Sequence, residues 1–195
     1  MTSWIVLRAA GVGAYVMLFL SVAWGLASTT TPFGKRISKP SSTLVHQLMS
    51  TCGLFLVGIH LAGLLVDRFV RFDALDLLVP MRSPYRPFAV TLGITAMYAT
   101  VVVVVTSWLR KKIGTTAWRR THLLAVPAFT LSLLHGMFAG TDSAMPWMWW
   151  TYVVTGLIVL FLIVVRALTA DYRPERAPRP AHARTAPRAV TPETT

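Results

Sequence analysis

Residues 44–66 read LVHQLMSTCGLFLVGIHLAGLLV, a run of 23 positions without one Asp, Glu, Lys or Arg. A helix rises 1.5 Å per residue, so roughly 20 apolar residues span the ~30 Å hydrocarbon core of a bilayer. The stretch reads as a membrane span, and the two histidines inside it, His46 and His60, are what it has to explain. A second stretch, THLLAVPAFTLSLLHGMFAG at 121–140, repeats the arrangement with His122 and His135.

Working outward from these two, three more segments are long and apolar enough to cross. The set is Trp4 to Ala27, Leu44 to Val66, Phe88 to Leu109, Thr121 to Ala139 and Trp147 to Val165. Backbone amides cannot be left unpaired in lipid, so each segment is expected to be helical. This includes the valine run Val101 to Val105, which in water would favour a strand. The expected fold is all-α, a polytopic bundle of about five transmembrane helices. The first segment is too long for a cleaved leader and is expected to remain as a helix.

Composition agrees. The 195 residues are 54% hydrophobic and 13% charged, with a mean hydropathy of +0.58, whereas soluble domains carry about 25% charged residues. The net charge of +12 would suggest nucleic acid on a soluble surface, but here the cations lie between and after apolar runs, so nucleic-acid binding is not expected. The lone cysteine, Cys52, excludes an internal disulfide and a thiolate cluster and is expected as small buried filler.

The cations also orient the chain. Placing the 28–43 and 110–120 connections and the C-terminal segment on one side gathers fourteen Lys and Arg there, against Arg8, Arg68, Arg71, Arg82 and Arg86 on the other. The positive-inside rule then puts the N-terminus outside and the C-terminus in the cytoplasm. On the outer side FDALDLLVP, residues 72–80, is expected to form a short interfacial helix capping the bundle. Residues 1–170 are expected to form the membrane domain. Residues 171–195 are rich in Pro, Arg, Thr and Ala and are expected as a disordered cytoplasmic tail.

The histidines carry the functional reading. His46 and His60 are 14 residues apart, and His122 and His135 are 13 apart. In helices these spacings climb about 21 and 19.5 Å, so the two segments present imidazoles at two matching depths. Facing pairs of neutral imidazoles are what a six-coordinate haem iron takes as axial ligands, and the macrocycle suits an apolar gap between helices. One intramembrane histidine can serve equally as an interhelical hydrogen-bonding group. Four at paired depths favour ligation. The second spacing is awkward: 14 steps of about 100° return to within about 40° of the starting face, while 13 miss by about 140°. Pro127 lies between His122 and His135 and is expected to kink that helix.

With these residues in place, the sequence resembles the ferric reductase-like transmembrane domain family. That family includes the membrane parts of ferric-chelate reductases and NADPH oxidases and the haem subunit of bacterial methionine-sulfoxide repair. The likeness rests on the 14 and 13 spacings and on AWRRTHLLAVPAF followed by LLHGMFAGTD, and covers roughly residues 5 to 170. It implies two b-type haems, with His46 and His122 ligating the inner iron and His60 and His135 the outer. It also implies electron transfer from a cytoplasmic donor to an extracytoplasmic acceptor. Ferric reductases and NADPH oxidases continue into FAD and NADPH domains, whereas this sequence shows no GxGxxG fingerprint. The expectation is therefore an oxidoreductase component fed by a separate flavin or NAD(P)H-dependent protein, or by a quinol. It is placed in a cell membrane, as in the bacterial cytoplasmic membrane. A dedicated extracytoplasmic reductase as acceptor is an alternative; a non-redox transporter or scaffold is a second one.

Other residues have two readings each. Arg119 and Arg120 inside, and Arg68, Arg82 and Arg86 outside, could meet haem propionates or simply mark topology. Arg8, one turn into an apolar helix, must snorkel or meet a propionate. Trp147, Trp149 and Trp150 fit an interfacial aromatic belt, with an electron exit path as the other reading. Gly53, Gly58, Gly63 and Gly136 flank the histidines and would admit either a macrocycle or a neighbouring helix. His182 is given no role.

Overall fold

The computed structural model describes residues 2–29, 38–67 and 71–170. They form six helices: α1 (Thr2–Ala27), α2 (Lys39–Val66), α3 (Pro87–Trp108), α4 (Arg110–His122), α5 (Ala125–Ala139) and α6 (Pro146–Ala170). There is no strand among the described residues. α1, α2, α3 and α6 are each long and apolar enough to cross a membrane, and α4 with α5, bent by 41°, are together long and apolar enough to be a fifth, broken span. The chain is a multi-pass membrane protein, as its hydropathy requires. The tail at 171–195, Arg68 and His182 lie outside the described residues.

The helix starts are written locally. Ser38 caps α2, its side chain accepting the Ser41 N–H at 3.3 Å, and Pro40, Pro87 and Pro146 stand in the first turns of α2, α3 and α6, where a missing N–H removes nothing. The valine run is helical inside α3. Its flanking hydroxyls turn back on the helix, Thr100 to the Ala96 carbonyl at 2.8 Å and Ser107 to the Val103 carbonyl at 2.6 Å, which satisfies them away from water.

Three expectations need correction or refinement. The 72–80 segment is a series of tight turns, not an interfacial helix. Asp73 and Asp76 each accept the other's backbone N–H, at 3.0 and 2.9 Å, and the chain meets Pro80 before helical turns can propagate. It still covers the bundle, with Leu77 buried. Cys52 is exposed on the outside of α2 rather than buried. The break near Pro127 falls at Leu123 and Leu124, four and three residues upstream, where the proline ring would meet the Leu123 carbonyl.

α1 is the centre of the bundle. It packs along α2 on one side and on α5 and α6 on the other, while α3 packs on α5 and α4. The core joining α1, α5 and α6 is aromatic: Tyr15 stacks on Phe129 at 5.7 Å between ring centres and meets Tyr152 edge-on at 5.2 Å. The Tyr15 hydroxyl hydrogen-bonds Thr155. α2 and α5, which carry three of the four intramembrane histidines, make no extensive contact with each other. A space is left between the α1–α2 pair and the α3–α5 pair.

Candidate functional site

That space is a cavity of about 500 Å3 with a predominantly apolar lining, within the ~300–1,000 Å3 range of cofactor-sized sites. His60 enters it from α2 and His135 from α5, with Gly58, Gly93 and Gly136 in the walls and Leu77 in the lid. His46 and His122 lie at the other ends of these two spans, their rings edge to face at 6.0 Å between centres with 65° between the planes. A metal ion held between two imidazole nitrogens by bonds of about 2.0 Å would set the ring centres roughly 6 Å apart. The structure thus sets His46 beside His122 and places His60 and His135 in the lining of one cavity.

Each imidazole is fixed through its Nδ1. His46 donates to the Ser21 carbonyl at 3.0 Å, His60 to the Leu7 carbonyl at 3.1 Å and His135 to the Ala89 carbonyl at 2.8 Å. A carbonyl only accepts, so Nδ1 carries the proton and Nε2 keeps its lone pair. His122 has a different neighbour, the Ser107 hydroxyl at 3.5 Å. Ser107 commits its own proton to the Val103 carbonyl and receives the Trp118 indole N–H at 3.2 Å, so it too offers His122 only an acceptor. The Trp118 ring leans on His122 at 5.2 Å. No Nε2 of the four makes a hydrogen bond among the described residues. These Nε2 atoms are the lone pairs that could hold a metal ion, and the cavity around His60 and His135 is apolar and of cofactor size.

The break between α4 and α5 explains how a 13-residue spacing works. Leu124 N–H bonds the Thr121 carbonyl at 3.0 Å and Val126 N–H the Leu123 carbonyl at 3.2 Å, steps of three residues where an α-helix takes four. The tighter winding takes up part of the angular mismatch, and the 41° bend redirects α4.

The cations divide. Arg8 lines the cavity and is ion-paired with Asp142 of the α5–α6 connection. Arg82 bonds Asp73 at 3.1 Å and Asp76 at 3.3 Å. Arg86 donates to the Phe138 carbonyl at 2.5 Å. Outside the spans, the Asp76 N–H, and after it the Arg82 guanidinium, hold the Asp73 carboxyl below its ordinary range. Arg119 and Arg120 are exposed on α4. Of the glycines near the histidines, Gly58 and Gly136 face the cavity, while Gly53 and Gly63 receive Leu18 and Leu7 of α1. The residues that sequence reasoning missed are the anchors of Nδ1. Three of these are backbone carbonyls, which leave no side-chain signature.

Comparison with known families shows that the model of the ferric reductase like transmembrane component matches residues 10–133. The matched span includes His46, His60 and His122 and stops two residues short of His135. No curated protein and no solved structure matches the chain.

Proposed function

The chain belongs to the family of ferric reductase-like transmembrane components, and from that premise we propose that it conducts electrons across a membrane through two b-type haems. His46 and His122 would hold one, His60 and His135 the other. The observation that carries the reading is that all four imidazoles have Nδ1 engaged and, among the described residues, Nε2 without a hydrogen bond, with His46 beside His122 and His60 and His135 lining one apolar cavity.

Bound haem would supply a one-electron iron couple; the rest falls to this chain's own residues. The carbonyls of Leu7, Ser21 and Ala89 orient the imidazoles and raise their basicity. The apolar walls around His60 and His135 exclude water. Arg119 and Arg120 beside His122 are the cations available to anionic propionates, while Arg8 at the cavity edge would have to share its guanidinium between a propionate and Asp142. With two histidines held for each iron, the chain would leave no ligand position open to a substrate, and bound haem would supply outer-sphere electron transfer to an acceptor. Orientation follows the cations: the His46–His122 pair faces the cytoplasm and the His60–His135 pair the outside of a cell membrane. The donor is a separate flavin or NAD(P)H-dependent protein, or a quinol. The acceptor is extracytoplasmic: a ferric chelate or a dedicated reductase.

The test is a reduced-minus-oxidised spectrum of the purified chain with haem quantified per polypeptide. About two low-spin haems are expected, falling to about one in His60→Ala and in His135→Ala. A colourless protein, or spectra indifferent to both substitutions, would overturn the reading in favour of a non-redox transporter or scaffold.

A further inference from the structure

Three of the four Nδ1 acceptors obey one rule. The Leu7 carbonyl lies four residues before Gly11, the Ser21 carbonyl four before Gly25 and the Ala89 carbonyl four before Gly93. In each case the histidine that binds the carbonyl also lies against that glycine. A Cβ built on Gly11 would stand 2.9 Å from His60 Nδ1, one on Gly93 would stand 2.7 Å from His135 Nδ1, and one on Gly25 would stand 3.5 Å from His46 Cε1.

Helix geometry supplies the reason. The carbonyl of residue i−4 bonds the N–H of residue i, and the side chain of residue i lies over the turn toward the N-terminus, shielding that oxygen's free lone pair. Glycine uncovers it. An imidazole from the neighbouring helix can then lie on the backbone and reach the second lone pair. Gly11 and Gly25 are 14 residues apart on α1, the same interval as His46 and His60 on the adjoining α2, with the order reversed as antiparallel packing demands. His122 breaks the rule, because Ser107 and Thr106, where α3 is ending, stand opposite α4 in place of a glycine.

We infer that Gly11, Gly25 and Gly93 are positioning residues, each opening a backbone carbonyl that fixes the tautomer and aim of a histidine, and that the His60–His135 pair, seated on glycine at both ends, depends on them most. The inference rests on the haem reading. It predicts a graded response, because contacts under 3.0 Å force a neighbour to move while 3.5 Å is ordinary contact.

The experiment uses the full chain, purified with its haem, in the variants Gly93→Ala, Gly11→Ala and Gly25→Ala. Haem per chain, the low-spin electron paramagnetic resonance signals and the midpoint potential of each haem are read. Gly93→Ala is expected to halve the haem content. Gly11→Ala is expected to keep both haems but shift the signal of one and raise its potential, since a weakened Nδ1 hydrogen bond lowers ligand basicity. Gly25→Ala, where the added methyl meets His46 only at ordinary contact distance, is expected to keep both haems and to shift the signal of the His46 haem least of the three. Loosened helix packing alone would not move one potential while sparing the other. If Gly93→Ala is not recovered as folded protein, Gly11→Ala decides: an unmoved signal and potential overturn the inference. It is overturned equally by a Gly25→Ala protein as damaged as Gly93→Ala. A parent chain without haem sinks the functional reading instead, so the two failures are distinguishable.

Discussion

Replacing Pro127 by Ala should cost the protein one haem and spare the other. An alanine restores the N–H that an α-helix would bond to the Leu123 carbonyl and removes the ring that clashes with it, which favours a continuous helix by up to about 3 kcal/mol. Opposing this are the Thr121–Thr106 and Trp118–Ser107 hydrogen bonds that hold α4 on α3, each worth about 1 kcal/mol. Rewinding wins by that reckoning. The two three-residue steps at Leu124 and Val126 each advance about 120° where an α-helix advances about 100°. Undoing both turns α4 by about 40° against α5. At roughly 6 Å from the helix axis this moves the His122 ring by about 4 Å. The rings of His46 and His122 now stand 6.0 Å apart, so such a move takes His122 out of axial reach, while His135, beyond the break, keeps its place on Ala89. The assay is haem per chain with a potentiometric titration: two components in the parent, one in the variant, and the survivor sensitive to His60→Ala. Two haems with an unaltered titration would refute the claim that Pro127 sets the break.

Two further outcomes are expected. Asp142→Asn removes the charge facing Arg8; with Asp142 16% and Arg8 39% exposed, solvent screening limits the loss to about 1 kcal/mol, read as a lower unfolding temperature in detergent and matched by Arg8→Gln. A double variant as far below either single as the singles are below the parent would show that the pair is not coupled. Asp73 is held below its ordinary value of 3.8 by the Asp76 N–H and Arg82, so its contribution is complete above the ordinary carboxylate range and drains as pH falls below it. The protection of the amides across residues 73–79, taken as the intrinsic exchange rate at each pH divided by the observed one, should therefore fall on acidification in the parent and lose that pH dependence in Asp73→Asn; identical protection profiles would exclude the role.

Lipid as solvent made much of this protein legible in one dimension. Helices follow from apolar length because unpaired backbone is intolerable in hydrocarbon, and even Val101 to Val105 had no other conformation open to them. The depths of His46, His60, His122 and His135 follow from counting along those helices. What counting cannot supply is direction around the axis and the identity of neighbours. Periodicity faulted the 13-residue spacing because it assumes an unbroken α-helix, and only packing against α3 shows where Pro127 exerts its effect. The turns at 72–80 escaped for a related reason: the mutual capping of Asp73 and Asp76 is a choice between local bonds of similar strength, tipped by a buried place for Leu77. The carbonyls of Leu7, Ser21 and Ala89 were beyond reach of any pattern in side chains. They become acceptors because a glycine one turn on leaves them bare and a histidine from another helix arrives there, and that meeting is set by the antiparallel register of α1 on α2 and by the packing of α3 on α5.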